Sequence, residues 1–181
     1  MTIIAQLKAG DFELFLAYLN NHLADNGRDG TGYFQPLSRS ESRFPSDKAQ
    51  SFKSGLGTAV GAPGWRRLWV ARDDPGRIIG HIDLRAHAER HAAHRCLLGM
   101  GVKRGQRKAG LGGLLIAEAQ RWASETAQLR WIDLQVLSIN APAINLYLRN
   151  GFVKTGEVAD MFDIDGQSFA YTSMSKRIGQ P

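Results

Sequence analysis

The chain has 181 residues, which is enough for one domain with a proper core and short for two. Its composition is 43% apolar and 22% charged, as in globular proteins, and its apolar runs are too short for a membrane-spanning helix. The formal net charge of +6 indicates an anionic partner, and either a nucleic acid or a polyanionic cofactor would satisfy it. We therefore expect one domain over residues 1–181.

The N-terminus and the single cysteine bear on location. Residues 1–7 have neither a basic flank nor a long apolar stretch, so they do not look like a secretory signal. Cys96 has no second cysteine to pair with, and a reduced compartment fits best. We expect a cytoplasmic protein in which Cys96 is a small buried strand residue and not a nucleophile.

The first third of the chain predicts one strand, two helices and a long connection. After Asp11, a suitable N-cap, apolar residues recur at helical spacing, and Asn26–Gly27 ends that helix. The expected ranges are a strand at 3–6, a helix from 11 to about 24, an irregular segment at 28–47 and a short helix at 48–56.

The middle of the chain predicts antiparallel strands. A turn at 73–76, with the sequence Asp-Asp-Pro-Gly, separates two strand-like runs and indicates a hairpin. The expected ranges are strands at 67–72 and 77–86, a polar connection at 87–94, a strand at 95–102 and a basic loop at 103–110.

The last third alternates strands and helices. Apolar residues at helical spacing predict a helix over 110–126, with one face formed by Leu111, Leu114, Leu115, Ala119 and Trp122. A strand is expected at 129–137, a helix capped by Asn140 through 149, and strands at 152–155 and 168–175 with a turn at Asp165–Gly166. The predicted fold class is α+β, a mixed sheet with helices on both faces.

The segment 103–112 is the part of the sequence that most clearly indicates chemistry. A strand ends at Val102, a glycine-containing basic loop follows, and a helix begins. A helix N-terminus presents free N–H groups and partial positive charge, and glycine lets the backbone approach a ligand closely. The loop therefore predicts an anion site suited to a pyrophosphate, and four cations add to it: Lys103, Arg104, Arg107 and Lys108.

Two common phosphate-binding motifs fit this loop poorly. A Walker A loop ends in Gly-Lys-Ser/Thr, whereas this one ends in Gly-Leu-Gly-Gly at 110–113. The dinucleotide fingerprint requires Gly-x-Gly-x-x-Gly, and the position of its last glycine is here Leu115.

The loop resembles that of the GCN5-related N-acetyltransferase (GNAT) superfamily. The segment Arg107-Lys-Ala-Gly110-Leu-Gly112 matches Arg/Gln-x-x-Gly-x-Gly/Ala, and Val102 stands five residues before it as is typical. Downstream, the segment from Val136 to Tyr147 resembles Val-x-x-x-Asn-x-x-Ala-x-x-Leu-Tyr, and Gly151-Phe152 matches the opening of the next strand. The resemblance covers roughly residues 65 to 178 and is most like bacterial enzymes that acetylate small molecules, amino acids or peptide N-termini.

The resemblance implies a mostly antiparallel sheet with a splayed parallel strand pair, and acetyl-CoA as co-substrate without a metal. Backbone groups at the end of the strand before the loop would pair with the pantetheine, and the loop N–H groups would hold the pyrophosphate. The residues expected to bind the cofactor are Met100, Gly101, Val102, Arg107, Lys108, Ala109, Gly110, Leu111, Gly112, Gly113, Asn140, Ala143, Asn145 and Tyr147.

The resemblance also implies direct attack of an amine on the thioester, with Tyr147 as the acid that protonates the thiolate. A backbone N–H near Met100 would stabilise the oxyanion. Many members place a glutamate where this chain has Leu97, so the proton acceptor stays open. Candidates are His81, Asp83 and Glu41.

Other interpretations stay open at this point. The charge permits a nucleic-acid-binding domain, although the cations cluster on one loop, and the missing glutamate permits a degenerate acyl-CoA-binding regulator. His87, His91 and His94 have spacings that zinc could use, but a polar connection between strands explains them better. The acceptor amine is not readable, although residues 25–60 and the hairpin at 156–170 would shape its site, and a homodimer is possible.

Overall fold

The structure, a computed structural model, describes residues 2–28, 30–74 and 76–179. These residues form seven strands and four α-helices. The strands are β1 (Ile3–Gln6), β2 (Arg66–Arg72), β3 (Ile78–Ala86), β4 (Arg95–Val102), β5 (Trp131–Leu137), β6 (Val153–Ile164) and β7 (Gln167–Arg177). The helices are α1 (Phe12–Leu23), α2 (Ser46–Gly55), α3 (Leu111–Glu125) and α4 (Ala141–Arg149).

All seven strands form one sheet in the order β1-β2-β3-β4-β5-β7-β6. Neighbouring strands are antiparallel except β4 and β5, which are parallel and joined through α3. This is the α+β mixed sheet that the sequence predicted, and that prediction is confirmed.

Helices cover both faces of the sheet. α3 and α4 pack against one face, where Leu115, Ile116 and Tyr147 join a core with the strand residues Ile82 and Leu84. The other face, called the α1 face below, is covered by α1 and α2. There the core residues from the helices are Phe12, Phe15, Leu19, Leu23, Ala49 and Phe52.

The buried side of α3 differs from the prediction at Leu114, which is 58% exposed, while Ile116 and Ala123 are buried instead. Each residue turns a helix by about 100°, so positions 111, 115, 116, 119 and 123 span one arc of the surface. Leu114 lies outside that arc, because only one of the two apolar edges of α3 meets the sheet.

The last hairpin is much longer than predicted. β6 and β7 run over 12 and 11 residues and are joined by the predicted turn at Asp165–Gly166. Register shifts between Lys154 and Gly156 and between Val158 and Phe162 interrupt the alternation of β6, so its sequence does not read as one strand. The turn predicted at 73–76 includes Pro75, which lies outside the described residues.

Elsewhere the predicted boundaries are within a few residues of the observed ones. The irregular segment before α2 contains no helix up to Ser46, and α2 begins two residues earlier than predicted. Asp11 stands at the N-cap of α1 but makes no capping hydrogen bond through its side chain. None of the helices in the described ranges is long and apolar enough to cross a membrane.

The parallel pair β4–β5 opens into a fork. Pairing runs from Arg95 opposite Trp131 to Leu97 opposite Asp133 and stops there. Beyond this point β4 stays paired with β3 as far as Val102, whereas β5 stays paired with β7 as far as Leu137. The two strands therefore leave a gap that begins in the middle of the sheet.

Asp133 holds the closed end of the fork. Its carboxylate accepts hydrogen bonds from Arg95 Nε at 2.7 Å and Ser175 Oγ at 2.6 Å, and His87 Nε2 lies at 2.9 Å. Burial alone would raise the pKa of Asp133, but the hydrogen bonds from Arg95, Ser175 and His87 outweigh it and hold the pKa below its ordinary value. The carboxylate thus ties the connection before β4, β4 itself and β7 to one residue of β5.

Replacing Asp133 with asparagine should lower the free energy of unfolding by about 2 kcal/mol, because charged hydrogen bonds to Arg95 and Ser175 are lost. Urea denaturation at pH 7 measures this. Because the pKa of Asp133 is lowered on folding, its contribution is present above the ordinary value of 3.8 and is lost as the pH falls below it.

The difference between wild type and Asp133→Asn should therefore shrink in acid. Glu118→Gln is the matched control, since it removes an exposed ion pair with Arg121 on α3 and should leave the urea midpoint nearly unchanged. Equal stability of the Asp133 variant and wild type at pH 7 would contradict this role.

Candidate active site

The loop between β4 and α3 presents a row of backbone N–H groups. Lys108 and Gly110 have positive φ values of 66° and 80°, which turn the chain sharply before the first helical residue. In the described part of the chain, the N–H groups from Lys108 to Gly112 donate no hydrogen bond. These groups lie at the N-terminal end of a 15-residue helix, so the loop has the geometry of an anion site.

Gly112 has no side chain, so α4 and the end of β4 can approach the first turn of α3 closely. A Cβ atom at Gly112 would lie 2.7 Å from Leu146 Cδ2 and 3.5 Å from Met100 Cε. The backbone of α3 thus packs directly against α4 and the end of β4. Arg107 folds back, with Nε donating to the Val102 carbonyl at 3.1 Å and the guanidinium 5.7 Å from the centre of the Phe34 ring.

The open edge of β4 faces the fork. Lys103 donates its N–H to Ile79, so in the antiparallel register the N–H groups of Gly101 and Gly99 also point toward β3. The N–H of Met100 therefore points to the opposite edge, where β5 has already turned away. Within the described residues, the Met100 N–H therefore faces a gap in which no strand is paired with it.

α4 stands on the other side of the fork. Asn140 caps it by accepting a hydrogen bond from the Ala143 N–H at 3.3 Å. Tyr147 is buried, with its ring 5.7 Å from that of Phe152, and its hydroxyl makes no hydrogen bond to any described residue. Burial, with a smaller effect of Tyr171, raises the pKa of Tyr147, so the phenol stays protonated at neutral pH. Of the other predicted residues of α4, Asn145 is exposed.

A cluster of Tyr18, His22 and His81 lies on the α1 face beside Gly101. A Cβ at Gly101 would lie 2.6 Å from His22 Nε2 and 2.7 Å from His81 Cε1. The Tyr18 hydroxyl lies 3.3 Å from His81 Nδ1 and 3.4 Å from the Gly101 carbonyl. His22 Nδ1 is buried and finds no hydrogen-bond partner among the described residues.

The sequence interpretation named His81 and missed Tyr18 and His22. Both lie on α1 at the edge of its apolar stripe, so a polar residue at a buried helical position was the available signal. Only the tertiary structure brings them to Gly101, because α1 and β4 are about 80 residues apart in the chain.

The other candidates for the proton acceptor are placed differently. Asp83 is buried and forms ion pairs with Arg66 at 3.8 Å and Arg85 at 3.3 Å. Glu41 is exposed on the segment before α2, where it accepts a hydrogen bond from Ser38. His81 and Asp83 are paired with Gly101 and Gly99, one on each side of Met100 in β4.

Residues before α2 contact the β6–β7 hairpin. Tyr33 donates to Asp165 in the β6–β7 turn, and the Tyr33 ring lies 5.0 Å from that of Phe169. Arg39 donates to the same carboxylate through its backbone N–H at 3.0 Å. The two segments expected to shape the acceptor site are therefore in contact.

Cys96 and the histidines of the connection before β4 were the other positions considered in the sequence. Cys96 is fully buried in the part of β4 that is paired with β5. Burial raises the pKa of its thiol, as expected of a packed strand residue. His87 pairs with Asp133 and His91 is exposed. Within the described ranges, no group of three or more His, Cys, Asp or Glu side chains is arranged to hold a metal ion.

Comparison with known proteins agrees with this geometry. Residues 64–154 match the model of the acetyltransferase (GNAT) domain. Over 100 residues the chain is 30% identical to the N-terminal acetyltransferase A complex catalytic subunit NAA10 of Arabidopsis thaliana. The aligned region covers 55% of this chain and 52% of that protein. The chain thus spans about half the length of this curated relative.

Solved structures share the whole fold. An acetyltransferase of the GNAT family from Streptococcus pneumoniae superposes with a TM-score of 0.81 at 24% identity, covering 98% of this chain and 100% of the other. A GNAT phosphinothricin acetyltransferase from Sinorhizobium meliloti, in complex with AcCoA, superposes with a TM-score of 0.75 at 18% identity, covering 98% and 89%.

The free N–H groups, the fork and the family match define the class of this protein. The chain belongs to the GNAT family of acetyltransferases, a class of enzymes that use acetyl-CoA as acetyl donor.

Replacing Gly110 with alanine should weaken acetyl-CoA binding. No atom lies within 4 Å of the added methyl group, but φ of 80° disfavours any residue with a Cβ, so the loop must shift. In wild type, acetyl-CoA at 100 times its Kd should add about 2.7 kcal/mol of stability and raise Tm by several degrees. Scanning fluorimetry should show a smaller rise for Gly110→Ala.

Gly105→Ala is the matched control, because Gly105 lies in the same loop with ordinary φ and open space around it. It should keep the full rise in Tm. An undiminished rise in Gly110→Ala would mean that the loop conformation does not matter for binding.

The two buried histidines should make stability depend on pH. Burial, assisted by Arg107, lowers the pKa of His22 to about 4, and burial with His22 lowers that of His81 to about 3. Both are below the ordinary 6.5, so the unfolded chain binds more protons between these values, and stability falls as the pH drops below 6.5. The slope should approach ~1.4 kcal/mol per pH unit for each histidine.

Urea denaturation between pH 7 and pH 5 measures this slope. His22→Phe keeps the ring packing and should reduce the slope by about half, whereas the exposed His91→Asn should not change it. A slope that is the same in His22→Phe and wild type would show that His22 is not held neutral.

Proposed function

We propose that this protein transfers an acetyl group from acetyl-CoA to a primary amine of a small molecule, an amino acid or a peptide N-terminus by direct attack within a ternary complex. Three features around the gap carry the proposal: the N–H groups from Lys108 to Gly112, the edge of β4 at Met100, and the Tyr147 hydroxyl. None of these N–H groups, nor that hydroxyl, has a hydrogen-bond partner among the described residues. The acetyl-CoA bound to the phosphinothricin acetyltransferase of the same fold supports the choice of donor.

The residues present fit acetyl-CoA. The N–H row at the N-terminus of α3 is suited to a pyrophosphate, and Lys108 adds positive charge there. The absence of a side chain at Gly112 lets α3 and α4 approach closely beside Met100. Residues 100–102 would offer their backbone edge to the pantetheine, and Asn140, Ala143 and Asn145 would border it from α4.

Acetyl-CoA supplies an activated acetyl thioester. The Met100 N–H points into the fork, where it can donate to the carbonyl oxygen as negative charge develops there. Tyr147, protonated at neutral pH and without a hydrogen-bond partner in the described part of the chain, can donate its proton to the departing sulfur. These two donors come from β4 and α4, on opposite sides of the gap.

The amine approaches from the α1 face in this proposal. An alkylammonium has a pKa of about 10.4, so a proton must be removed before or after the nitrogen attacks. His81 and His22 are both neutral at pH 7 and border Gly101, next to the Met100 donor. We assign to this pair the orientation of the amine through hydrogen bonds, with its proton leaving through water, since Asp83 is held in two ion pairs and imidazoles with pKa values near 3 and 4 are weak bases.

Other expectations stay predictions. These are that residues 1–181 form one acetyltransferase domain, that the protein is cytoplasmic, that a homodimer is possible, and that it needs no metal.

Replacing Tyr147 with phenylalanine should lower kcat by about 100-fold, because general acid catalysis typically contributes at least that much. Loss of the hydroxyl removes the proton donor while the ring keeps its packing against Phe152. Release of free thiol from acetyl-CoA, followed with a chromogenic disulfide across a panel of amines, measures the rate.

The acetyl-CoA-induced rise in Tm is the control and should be unchanged in Tyr147→Phe. An unchanged rate would remove Tyr147 as the acid. If acetyl-CoA stabilises wild type but no amine causes thiol release, the protein is a regulator that binds acyl-CoA without catalysis. If acetyl-CoA does not stabilise it at all, the donor assignment is wrong.

A further inference from the structure

The α1 face of the fork carries an excess of positive charge. Side chains alternate along a strand, so Asp83 and Arg85 of β3 lie on the side opposite to the buried Ile82 and Leu84. The same face holds Asp133 of β5. The arginines that contact these two carboxylates are Arg66, Arg85 and Arg95.

The two acidic side chains are already neutralised. Asp133 is bound by Arg95 in two hydrogen bonds and by Ser175. Asp83 lies between Arg66 and Arg85. Three guanidinium groups therefore face two carboxylates, and neither carboxylate is available to bind a cationic substrate.

Arg85 is the more exposed of the two arginines that contact Asp83. Arg66 is 19% exposed and lies 3.9 Å from the centre of the Phe52 ring, which fixes it under α2. Arg85 is 35% exposed and meets Asp83 through Nη1 alone, at 3.3 Å. The remaining nitrogens of Arg85 are thus donors on this face that can bind a ligand.

Arg85 lies next to the reacting position. Its Nη1 would be 3.2 Å from a Cβ at Gly99, so the missing side chain leaves the guanidinium room beside β4. Gly99 precedes Met100, and consecutive Cα atoms are about 3.8 Å apart.

We propose that Arg85 binds an anionic group of the acceptor, and that the acceptor is an α-amino acid with a free carboxylate. An α-carboxylate is two bonds from the amine, and a guanidinium holds it at about 2.8 Å, which matches the short distance between Arg85 and the edge of β4. A polyamine would place a second cation against Arg85, and a peptide N-terminus would offer no carboxylate there. The inference rests on the proposed function and selects one of its three acceptor classes.

Thiol release tests the inference with a panel of amino acids, the corresponding amino acid amides, a dipeptide and spermidine. In wild type, kcat/KM should be at least about 10-fold higher for the best amino acid than for its amide, as expected for a charged hydrogen-bonded pair. Arg85→Gln should bring the ratio close to one, and Arg85→Lys should give an intermediate ratio because it keeps a charge without the planar fork. Arg121→Gln, on the exposed side of α3, is the control and should keep the wild-type ratio.

Binding separates this inference from the proposed function. With CoA saturating, the best amino acid should raise Tm in wild type, its amide should not, and Arg85→Gln should lose the difference. Stabilisation by the amino acid without turnover would refute the transferase function and leave the Arg85 assignment standing. The assignment is overturned if amides or spermidine are used or bound as well as amino acids, if no acceptor class is bound, or if Arg85→Gln keeps the wild-type discrimination.

Discussion

The separation of β4 from β5 after Leu97 is the constraint on which the rest of this structure depends. Two parallel strands that stop pairing leave backbone donors and acceptors without partners, and such groups are costly unless something else meets them. Here Asp133 fixes the last paired position through Arg95, His87 and Ser175. Because that point is fixed, the open edge of β4 is a stable feature of the fold and not a frayed end.

The fork also assigns different tasks to the two faces of the sheet. On the side of α3 and α4 lie the N–H row and Tyr147, which suit a phosphate-bearing thioester and its leaving sulfur. On the α1 face lie His22, His81 and Arg85, which suit orientation of an amine and recognition of an anionic group. Direct attack requires the amine and the thioester carbonyl to be held together in reacting geometry, and groups on both sides of the gap can contribute to that.

Two glycines of β4 leave room for polar side chains of β3 and α1 on the α1 face. Gly99 and Gly101 alternate along the strand on this face, and a Cβ at either position would lie within 2.7 Å of a neighbouring side-chain atom. The small residues thus admit Asp83 and Arg85 at one position and the two imidazoles at the other. Leu97 lies two residues before Gly99 on the same face of β4.

The sequence by itself determined the elements whose signals are local. The basic glycine loop, the Asn140 cap and the strand of residues 95–102 follow from motifs and spacing, and they were sufficient to predict the fold class and the acetyl-CoA loop. Patterns in β6 and α3 were misleading, because bulges interrupt the alternation of β6 and the sheet meets only one apolar edge of α3. Tertiary structure alone decided that His22 and Tyr18 reach Gly101, that Asp83 is held by two arginines, and that Arg85 lies beside Gly99. These are contacts between residues distant in the chain, which side-chain periodicity cannot encode since it reports only the face on which each residue lies.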